Sequence, residues 1–578
     1  MKRFLIATAV VLAAVVIFVA STLPPKQFIL STTSTTGPDG TIPGILHIHS
    51  ARSDGRGTLD DIARAAARAG LKFIVVTDHG DATRTPDAPV YRAGVLCLDA
   101  VEISTTGGHY VALDMPAAPY PLAGDARDVV DDVKRLGGFG IVAHPDSPKP
   151  ELRWREWAAP FDAIEIINPD TSWRQQMTSP PQIASRPTLL LAERLFSYPI
   201  RPAESIASLI QPTGVLSRWE ALARRRHVVM IAGVDAHAQI AWRSADPVET
   251  RVSLPLPSYE ASFRTLSVHV RPDRALTGDA SADAAIVVRA IRAGHLYVAV
   301  DGAATPPSFE FTATNALGTV HAGDQLAAGG PVTLHVRSNA PPEFTTAVWN
   351  GATLVSGNHH EQDFSVAAPD GPGVYWVEIR ATPRLPAVPW ITSNAIYVRA
   401  PEFPPKPSPP ARPPATGVQP LFDGRSMVNW RVEHDPTSLA ALDVATSATA
   451  TGAGESALRL RFGLSGGVAA GQYAALVVGL PNGVLPNDRL RFTVRAERPM
   501  RLSVQLRTEH GRWHRSVYAD TLNQERTVYF DDLMPTGSTD RDKPAPAEVR
   551  SILFVVDSTN TKPGTSGRVW ITNPALER

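Results

Sequence analysis

The sequence predicts an α/β barrel followed by two β-sandwiches, and three observations carry that prediction. From Gly44 to about Val300, short apolar strands alternate with amphipathic helices. From 302 to 400, short strands recur with no helical pattern between them, and a second stretch of the same texture fills 417–578. Between these two stretches, residues 401–414 hold eight prolines in fourteen positions, a composition that neither pairs in a sheet nor continues a helix. At ~150 residues per domain, a chain of 578 residues holds about three or four domains.

The N-terminus comes first. Met1-Lys2-Arg3 precedes an uncharged, mostly apolar run from Phe4 to Ala20. A basic flank before an apolar core is the pattern of an export signal or membrane anchor, here residues 1–21, with Val19-Ala20-Ser21 as a small-residue cleavage site. Residues 22–43, rich in Thr, Pro, Ser and Gly, read as a tether. The expected location is exported, periplasmic or otherwise outside the cytoplasm, either released or held at the inner membrane by the N-terminal segment.

Residues 44–301 form the expected barrel. Ile45–His49 is a strand. Thr58 caps a helix with apolar positions Leu59, Ile62, Ala63, Ala66 and Ala69, stopped by Gly70. Lys72–Thr77, Leu96–Ser104, His109–Leu113, Phe139–Ala143, Ala163–Ile167 and Val228–Gly233 are further strands. Asp125–Leu136 and Leu216–Arg226 are helices, and helix Ala282–Ala293 with strand His295–Val300 closes the domain. Residues 302–400 carry Thr333–Arg337, Thr346–Trp349, Gly373–Arg380 and Ala395–Arg399 at the spacing of an immunoglobulin-like sandwich. Residues 401–416 are the proline-rich spacer. In 417–578, strands Ala457–Phe462, Tyr473–Val478, Asp488–Arg495, Leu502–Arg507, Ser551–Asp557 and Gly567–Ile571 suggest a jelly-roll sandwich.

Composition excludes several functions. Lys+Arg and Asp+Glu are both 56, so no global field favours nucleic acid or an acidic membrane. One cysteine, Cys97, excludes an intrachain disulfide framework, and its place inside Leu96-Cys97-Leu98 reads as core rather than nucleophile. No Walker loop, dinucleotide loop or Gly-x-Ser-x-Gly elbow is present.

The chemistry lies at strand ends. His47-Ile48-His49 sits on a strand, where alternation places both imidazoles on one side and Leu46 and Ile48 on the other. Asp54 follows in Ser53-Asp54-Gly55. Thr77-Asp78-His79 ends the next strand, Glu102 ends another, His109 begins the one after, and His144 precedes Pro145. Asp235-Ala236-His237 ends Val228–Gly233. Imidazoles and carboxylates gathered where an α/β barrel places its site suit Zn, Fe or Mn.

These motifs resemble the PHP family, named for polymerases and histidinol phosphatase, over about residues 44–300. Its members include phosphatases, phosphodiesterases and exonucleases, built on a distorted (β/α)₇ barrel with two or three divalent ions. The resemblance implies that His47, His49, Glu102 and Asp235 hold a first ion. Glu102 would bridge to a second, held also by His109 and His144, and Asp54, His79 and His237 would hold a third. For His109 a supporting role behind the ligands is the alternative. Asp78 would orient rather than ligate, and Glu165 either reaches the site or is a structural carboxylate. Glu102, Asp235 and His237 carry the catalytic expectation: a carboxylate-bridged ion pair lowers the pKa of a shared water toward ~7, giving a hydroxide that attacks phosphorus or a carbonyl carbon. The expected activity is phosphoester hydrolysis, with carboxyl or carbamate esters as the alternative.

Substrate contacts are less sharply encoded. Arg52, Arg84, Lys149 and Arg243 are either phosphate clamps or surface charges, and Trp154, Trp157 and Trp173 either wall a pocket or pack the core. The segment after the barrel, ending in Pro389 to Val398, resembles exported multidomain members of the family, some of which hydrolyse carbamate esters. Leu421-Phe422-Asp423-Gly424 through Trp430 resembles the opening of galactose-binding or carbohydrate-binding modules. Trp430, Tyr473 and Trp513 either stack on a sugar or are core or rim aromatics. The third alternative is therefore a non-catalytic cell-surface or polysaccharide-binding protein.

Overall fold

Helices and strands alternate at first as the apolar pattern requires. The computed structural model describes residues 2–31, 40–178, 186–210, 214–242, 252–369, 371–382, 387–399, 412–447, 454–467, 471–537 and 541–578. Strand β1 (Ile42–Ile48) leads to helix α1 (Leu59–Arg68). The Thr58 hydroxyl accepts from the Asp61 N–H while the Asp61 carboxylate accepts from the Thr58 N–H, which satisfies two donors the first helical turn leaves free. Gly70, at φ 84, turns the chain out of α1. Strand β2 (Phe73–Val76) pairs parallel to β1, and β3 (Val95–Asp99) parallel to β2.

The alternation then breaks. Strand β4 (Val101–Thr105) folds straight back into β5 (Gly108–Leu113), and β5 pairs antiparallel with both β4 and β6 (Phe139–Val142), which follows helix α2 (Ala126–Arg135). Strands β7 (Ala163–Ile167) and β8 (Val229–Ala236) restore the parallel order, separated by helix α3 (Pro169–Thr178) among others. β8 pairs parallel with β1, and a bridge between His79 and Glu102 joins the β2 end to β4, so the sheet closes into a barrel. It is a mixed barrel. The sequence places no helix between Leu96–Ser104 and His109–Leu113; the structure divides the first of these into β3 and β4, and β4 turns directly into antiparallel β5.

The expected boundary at 301/302 does not separate compact units. Strand β9 (Ser267–Val270) pairs antiparallel with β1, and β10 (Leu296–Ala299), after helix α4 (Ala280–Ala293), pairs with β9 and with Val388–Ser393 of the sandwich. The sheet therefore runs from the barrel into the immunoglobulin-like region. The chain divides into two compact units: Met1–Asp81 with Thr85–Pro116 and Asp125–Pro407, and Ala82–Arg84 with Ala117–Gly124 and Ser408–Arg578. The sandwich region also has a four-stranded antiparallel sheet, in the order Gly318–His321, Phe309–Asn315, Thr333–Ser338, Asp363–Ala367.

The segment read as a tether is partly docked. Phe28–Ile29 pairs with Ala304–Thr305, Phe28 meets Phe344 edge-on, and the Gln27 amide donates to the Asp301 carbonyl at 2.6 Å. Residues 32–39 and most of the proline-rich spacer (401–411) lie outside the described residues. Residues Lys2–Thr22 form a helix. Among the described residues, no helix is long and apolar enough to cross a membrane.

The second unit is a sandwich of two six-stranded antiparallel sheets. Every strand expected there is present, and Trp430–His434, Leu439–Ser447, Arg512–Ala519 and Gln524–Tyr529 join them. Leu458, Leu476, Leu490, Phe492, Val504, Phe554 and Ile571 fill the space between the sheets.

Candidate metal centre

All nine residues singled out by their strand-end positions converge on one point. Glu102, on β4, is the hub. Its Oε2 lies 3.3 Å from His47 Nε2, 3.2 Å from His49 Nε2 and 3.3 Å from His79 Nδ1. Its Oε1 lies 2.8 Å from His109 Nδ1 and 2.9 Å from His144 Nε2. One carboxylate thus faces five imidazoles drawn from β1, β5 and the loops after β2 and β6. Asp235 Oδ1 stands 3.4 Å from His47 Nε2 and 3.3 Å from His49 Nε2. Asp54 Oδ2 stands 3.3 Å from His237 Nε2 and 3.6 Å from His79 Nε2, and Asp54 Oδ1 3.4 Å from His49 Nδ1.

The backbone is bent to achieve this. His47, His144 and Asp235 have φ of 65°, 28° and 50°, a region non-glycine residues seldom adopt and which tends to mark functional sites. At β1 the consequence is visible in the packing. Ile45 and Ile48 share one core cluster with Ile62, Ala63 and Ala66 of α1, which strict alternation forbids for residues three apart. The expectation that Leu46 and Ile48 share a side is therefore corrected: a register shift against both neighbouring strands, at His47, brings Ile48 to the helix side while His47 and His49 both reach the interior.

Electrostatics bind the set together. Burial alone would strip His47 of its proton, but Glu165, Glu102 and Asp235 raise its pKa well above the usual imidazole range. Burial opposes ionisation of Glu102 and Asp235, yet the surrounding imidazoles, His47 first, hold both well below the usual carboxylate range. For His237, burial is overcome by Asp54 and Asp235, and its pKa rises to about 9. Concentrated anionic carboxylates that draw positive charge onto imidazoles form an environment that favours a cation.

Four groups can each hold an ion: His49, Asp54, His79 and His237; His47, Glu102 and His144; His47, His49 and Asp235; His79, Glu102 and His109. Unsatisfied atoms point the same way. His47 Nε2, both ring nitrogens of His49 and His144 Nδ1 are buried without a hydrogen-bond partner. Buried polar atoms ordinarily find partners, so a cluster of orphaned imidazole nitrogens beside ionised carboxylates fits divalent ions. Exposure is graded across the site: the His47, Glu102 and Asp235 side chains are 1%, 1% and 6% exposed, whereas His79 and Asp54 are 33% and 46% exposed. The Asp54–His79–His237 end is the one open to a ligand.

Two residues position the rest. Glu165, which the sequence left open, is buried beneath the centre. Its Oε1 accepts from His47 Nδ1 at 2.6 Å, which turns Nε2 toward Glu102 and Asp235. Its Oε2 accepts from the His144 N–H at 2.7 Å and from the Asn168 amide at 3.0 Å. A Cβ at Gly233 would stand 1.8 Å from Glu165 Oε1, so the glycine makes the space. Asp78 fixes the Asp54 loop, accepting from the Ser50 N–H, the Ser50 hydroxyl and the Ser53 hydroxyl at 2.8, 2.6 and 2.6 Å. Glu165 was detectable only as a carboxylate inside an apolar strand; Gly233 gave no signal beyond its place before Asp235.

The expected substrate contacts fare differently. Arg52 is held by Asp87 and Asp99. Arg84 and Lys149 are exposed, and Arg243 lies outside the described residues. Trp154 is fully buried and stacked on Tyr110, a core residue rather than a pocket wall. Trp157 packs edge-on against Phe161, and Trp173 donates from Nε1 to Asp170 at 2.9 Å. Cys97 is buried, with its thiol pushed up to about 11 by burial, which suits packing and not attack. In the second unit, Trp430 and Trp513 belong to the core between the sheets and present no face to a sugar; Tyr473 is half-buried.

No protein-family model matches the chain, and no curated protein matches it. Among solved structures, it is similar to a family 11 carbohydrate-binding module from Clostridium thermocellum in complex with a beta-1,3-1,4-mixed-linked tetrasaccharide, at 15% identity over 28% of this chain and 96% of that one, with a TM-score of 0.23. It is similar to a mutant of a family 29 carbohydrate binding module at 16% identity over 28% and 91%, with a TM-score of 0.18. It is also similar to promiscuous carbohydrate-binding modules of the β-sandwich superfamily, at 12% identity over 47% and 98%, with a TM-score of 0.20.

Proposed function

We propose that the protein is an exported, metal-dependent hydrolase of the PHP type, acting on phosphoesters. The observation that carries the reading is the Glu102 carboxylate set among five imidazole nitrogens, each within 3.3 Å. When bound there, two or three Mn, Fe or Zn ions supply Lewis acidity and an activated water, which phosphoryl and acyl transfer both need. The chain's own residues do the rest. Glu102, spanning both halves of the site, fixes their separation. Glu165 holds His47 in the tautomer that presents Nε2. Asp78 ties down the loop that brings Asp54 to the open end, where the half-exposed His79 and His237 meet the substrate. Carboxyl or carbamate esters are the alternative substrates of the same centre. A panel of phosphomonoesters, phosphodiesters and carboxyl esters, run on protein of known metal content, tests the assignment. Turnover of a phosphoester that vanishes on chelation and returns with one of these metals is expected. Turnover of carboxyl esters alone transfers the assignment to acyl chemistry, and no turnover of any ester sets it aside.

A second reading concerns the C-terminal sandwich: binding of a polysaccharide. Leu502, Val504 and Leu506 face the core, so Ser503, Gln505 and Arg507 lie on the other face of that sheet, where Ser503 and Gln505 are buried and Arg507 is half-buried. Arg507 grips Glu433 through two hydrogen bonds of 2.7 and 2.8 Å, and Gln505 Oε1 is buried without a partner. A guanidinium beside an amide acceptor left without a partner is the kind of polar pair that sugar hydroxyls can satisfy. Retention on insoluble polysaccharide that Gln505→Ala weakens supports it; equal retention of both proteins counts against it. Export is supported by Lys2-Arg3 ahead of an apolar run that forms one helix. A reporter fused after Arg578 should be active only if it functions outside the cytoplasm.

A further inference from the structure

The open end of the candidate centre depends on a residue far from it in sequence. Asp54 is the one carboxylate in the group His49, Asp54, His79 and His237, so an ion held there owes its counter-charge to that side chain. Asp54 rides on the loop Ser50–Arg56, between β1 and α1. Its side chain is 46% exposed, so the loop backbone rather than surrounding packing sets its place.

A phenol hydroxyl closes the base of that loop. Tyr259 opens the short helix Tyr259–Phe263, whose first turn is capped by the Ser258 hydroxyl, which accepts from the Ala261 N–H at 3.2 Å. The Tyr259 hydroxyl donates to the His49 carbonyl at 2.6 Å and accepts from the Gly57 N–H at 3.1 Å. His49 and Gly57 are the two residues that flank the loop, and both are buried, so either backbone group left unpaired carries a cost.

The ring belongs to the same device. It is buried in the cluster that holds Ile45, Ile48 and Ala236. A Cβ at Gly57 would stand 2.7 Å from Tyr259 Cε2, and a Cβ at Gly55 would stand 2.0 Å from the His49 carbonyl oxygen. The two glycines therefore let the loop fold closely over the end of β1. The rest of the loop is tied to the chain at and beyond the end of β8: the Arg56 N–H donates to the His237 carbonyl at 2.9 Å, and the Gln239 amide donates to the Asp54 carbonyl at 2.6 Å.

We infer that Tyr259 is a positioning residue for the open end: by clipping His49 to Gly57 it holds Asp54 opposite His79 and His237, and so sets the affinity of the outermost divalent ion. The inference rests on the metal-centre reading proposed above. Asp78 anchors the first half of the loop through Ser50 and Ser53, and Tyr259 anchors its base. The inner donors His47, Glu102, His144 and Asp235 lie outside the loop, so loss of the hydroxyl reaches the outermost ion and spares the others.

The test is Tyr259→Phe in the full chain, which keeps the ring and removes both hydrogen bonds. Wild type, Tyr259→Phe, Asp54→Asn and Phe263→Leu are stripped with a chelator and titrated with Mn²⁺ and with Zn²⁺ by calorimetry. Amide hydrogen exchange across residues 50–57 is followed in the stripped proteins. Tyr259→Phe should weaken the weakest-bound ion by ~10-fold or more, the scale of a lost orienting partner. That ion should be the one Asp54→Asn removes, the tighter ions should bind as in wild type, and exchange across 50–57 should quicken. Phe263→Leu disturbs the same core cluster and keeps the hydroxyl, so it should lower the melting temperature and leave both readouts unmoved. An unchanged weakest ion in Tyr259→Phe, equal weakening of every ion, or the same selective loss in Phe263→Leu overturns the inference and leaves the metal-centre reading standing. A wild type that binds neither metal overturns that reading and the inference with it. Ion binding with no ester turnover sets aside the hydrolase assignment alone.

Discussion

The two units bury charge in opposite ways. The barrel interior holds His47, His49, Glu102, His144, Glu165 and Asp235, all nearly or fully withdrawn from water. The C-terminal sandwich fills the space between its sheets with Leu, Val, Phe and Trp, and charged pairs such as Arg459 with Asp443, Arg507 with Glu433 and Arg491 with the buried Glu577 stand outside that apolar core. The sandwich core is an ordinary hydrophobic one, stabilised by area withdrawn from water. The barrel centre pays a desolvation penalty that only a matching set of charges offsets. A region organised that way could hold a cation, and the pair of units shows the difference within one chain.

The sharpest way to break this comparison is Glu102→Ala. It removes the carboxylate that serves every half of the site and leaves five imidazoles without their anion. Ester turnover should fall to background and metal content below one ion per chain. An active Glu102→Ala enzyme places the centre elsewhere.

On the other side of the comparison stands Phe492→Ala, between the two sheets of the sandwich. Removing a buried phenyl ring costs about 3–5 kcal/mol. The sandwich should melt at a markedly lower temperature, with the metal content unchanged. Loss of metal in this variant contradicts the separation of roles.

A smaller effect is expected from Glu165→Gln, which keeps the shape but weakens the hold on His47 Nδ1. Losing such an orienting carboxylate typically lowers metal affinity by ~10–100-fold. Gly233→Ala should mimic it by displacing Glu165 from above. A Glu165→Gln protein that keeps its metal affinity reduces Glu165 to a packing residue.

The smallest effect sharpens the comparison inside the first unit. Asp301 is buried away from the centre, and burial lifts its pKa to about 7 despite hydrogen bonds from Ser267 and Thr305. Its folded pKa lies above that of an unfolded aspartate, ~4. The folded state therefore holds a proton the unfolded state has released, and stability falls as the pH rises from about 4 to about 7. Asp301→Asn should abolish that part of the slope and raise the melting temperature at pH 8. An unchanged pH profile shows that Asp301 stays ionised.

Much of this architecture was legible in the sequence because the signals were local. Thr58, Gly70 and the apolar spacing between them define α1, and the strand-end histidines and carboxylates define the centre. What escaped was set by tertiary context. Edge strands such as Gln524–Tyr529 are largely polar and carry no apolar run. The β4–β5 hairpin gives the barrel an antiparallel segment that no single window reveals. The shift at His47 overrides strict alternation and brings His47 and His49 to one side together. The roles of Glu165 and Gly233 depend on a contact between β7 and β8 that sequence spacing does not encode. Trp154, Trp430 and Trp513, for which pocket wall or sugar platform and core were both open in the sequence, are core residues: aromatic residues near a site are ambiguous until their burial is known.

The most direct measurement is the metal content of the purified full chain after incubation with Mn, Fe or Zn and removal of excess ion. The donor set around Glu102 should retain two to three ions per chain with at least one of these metals. Retention of less than one equivalent with every metal contradicts the central claim.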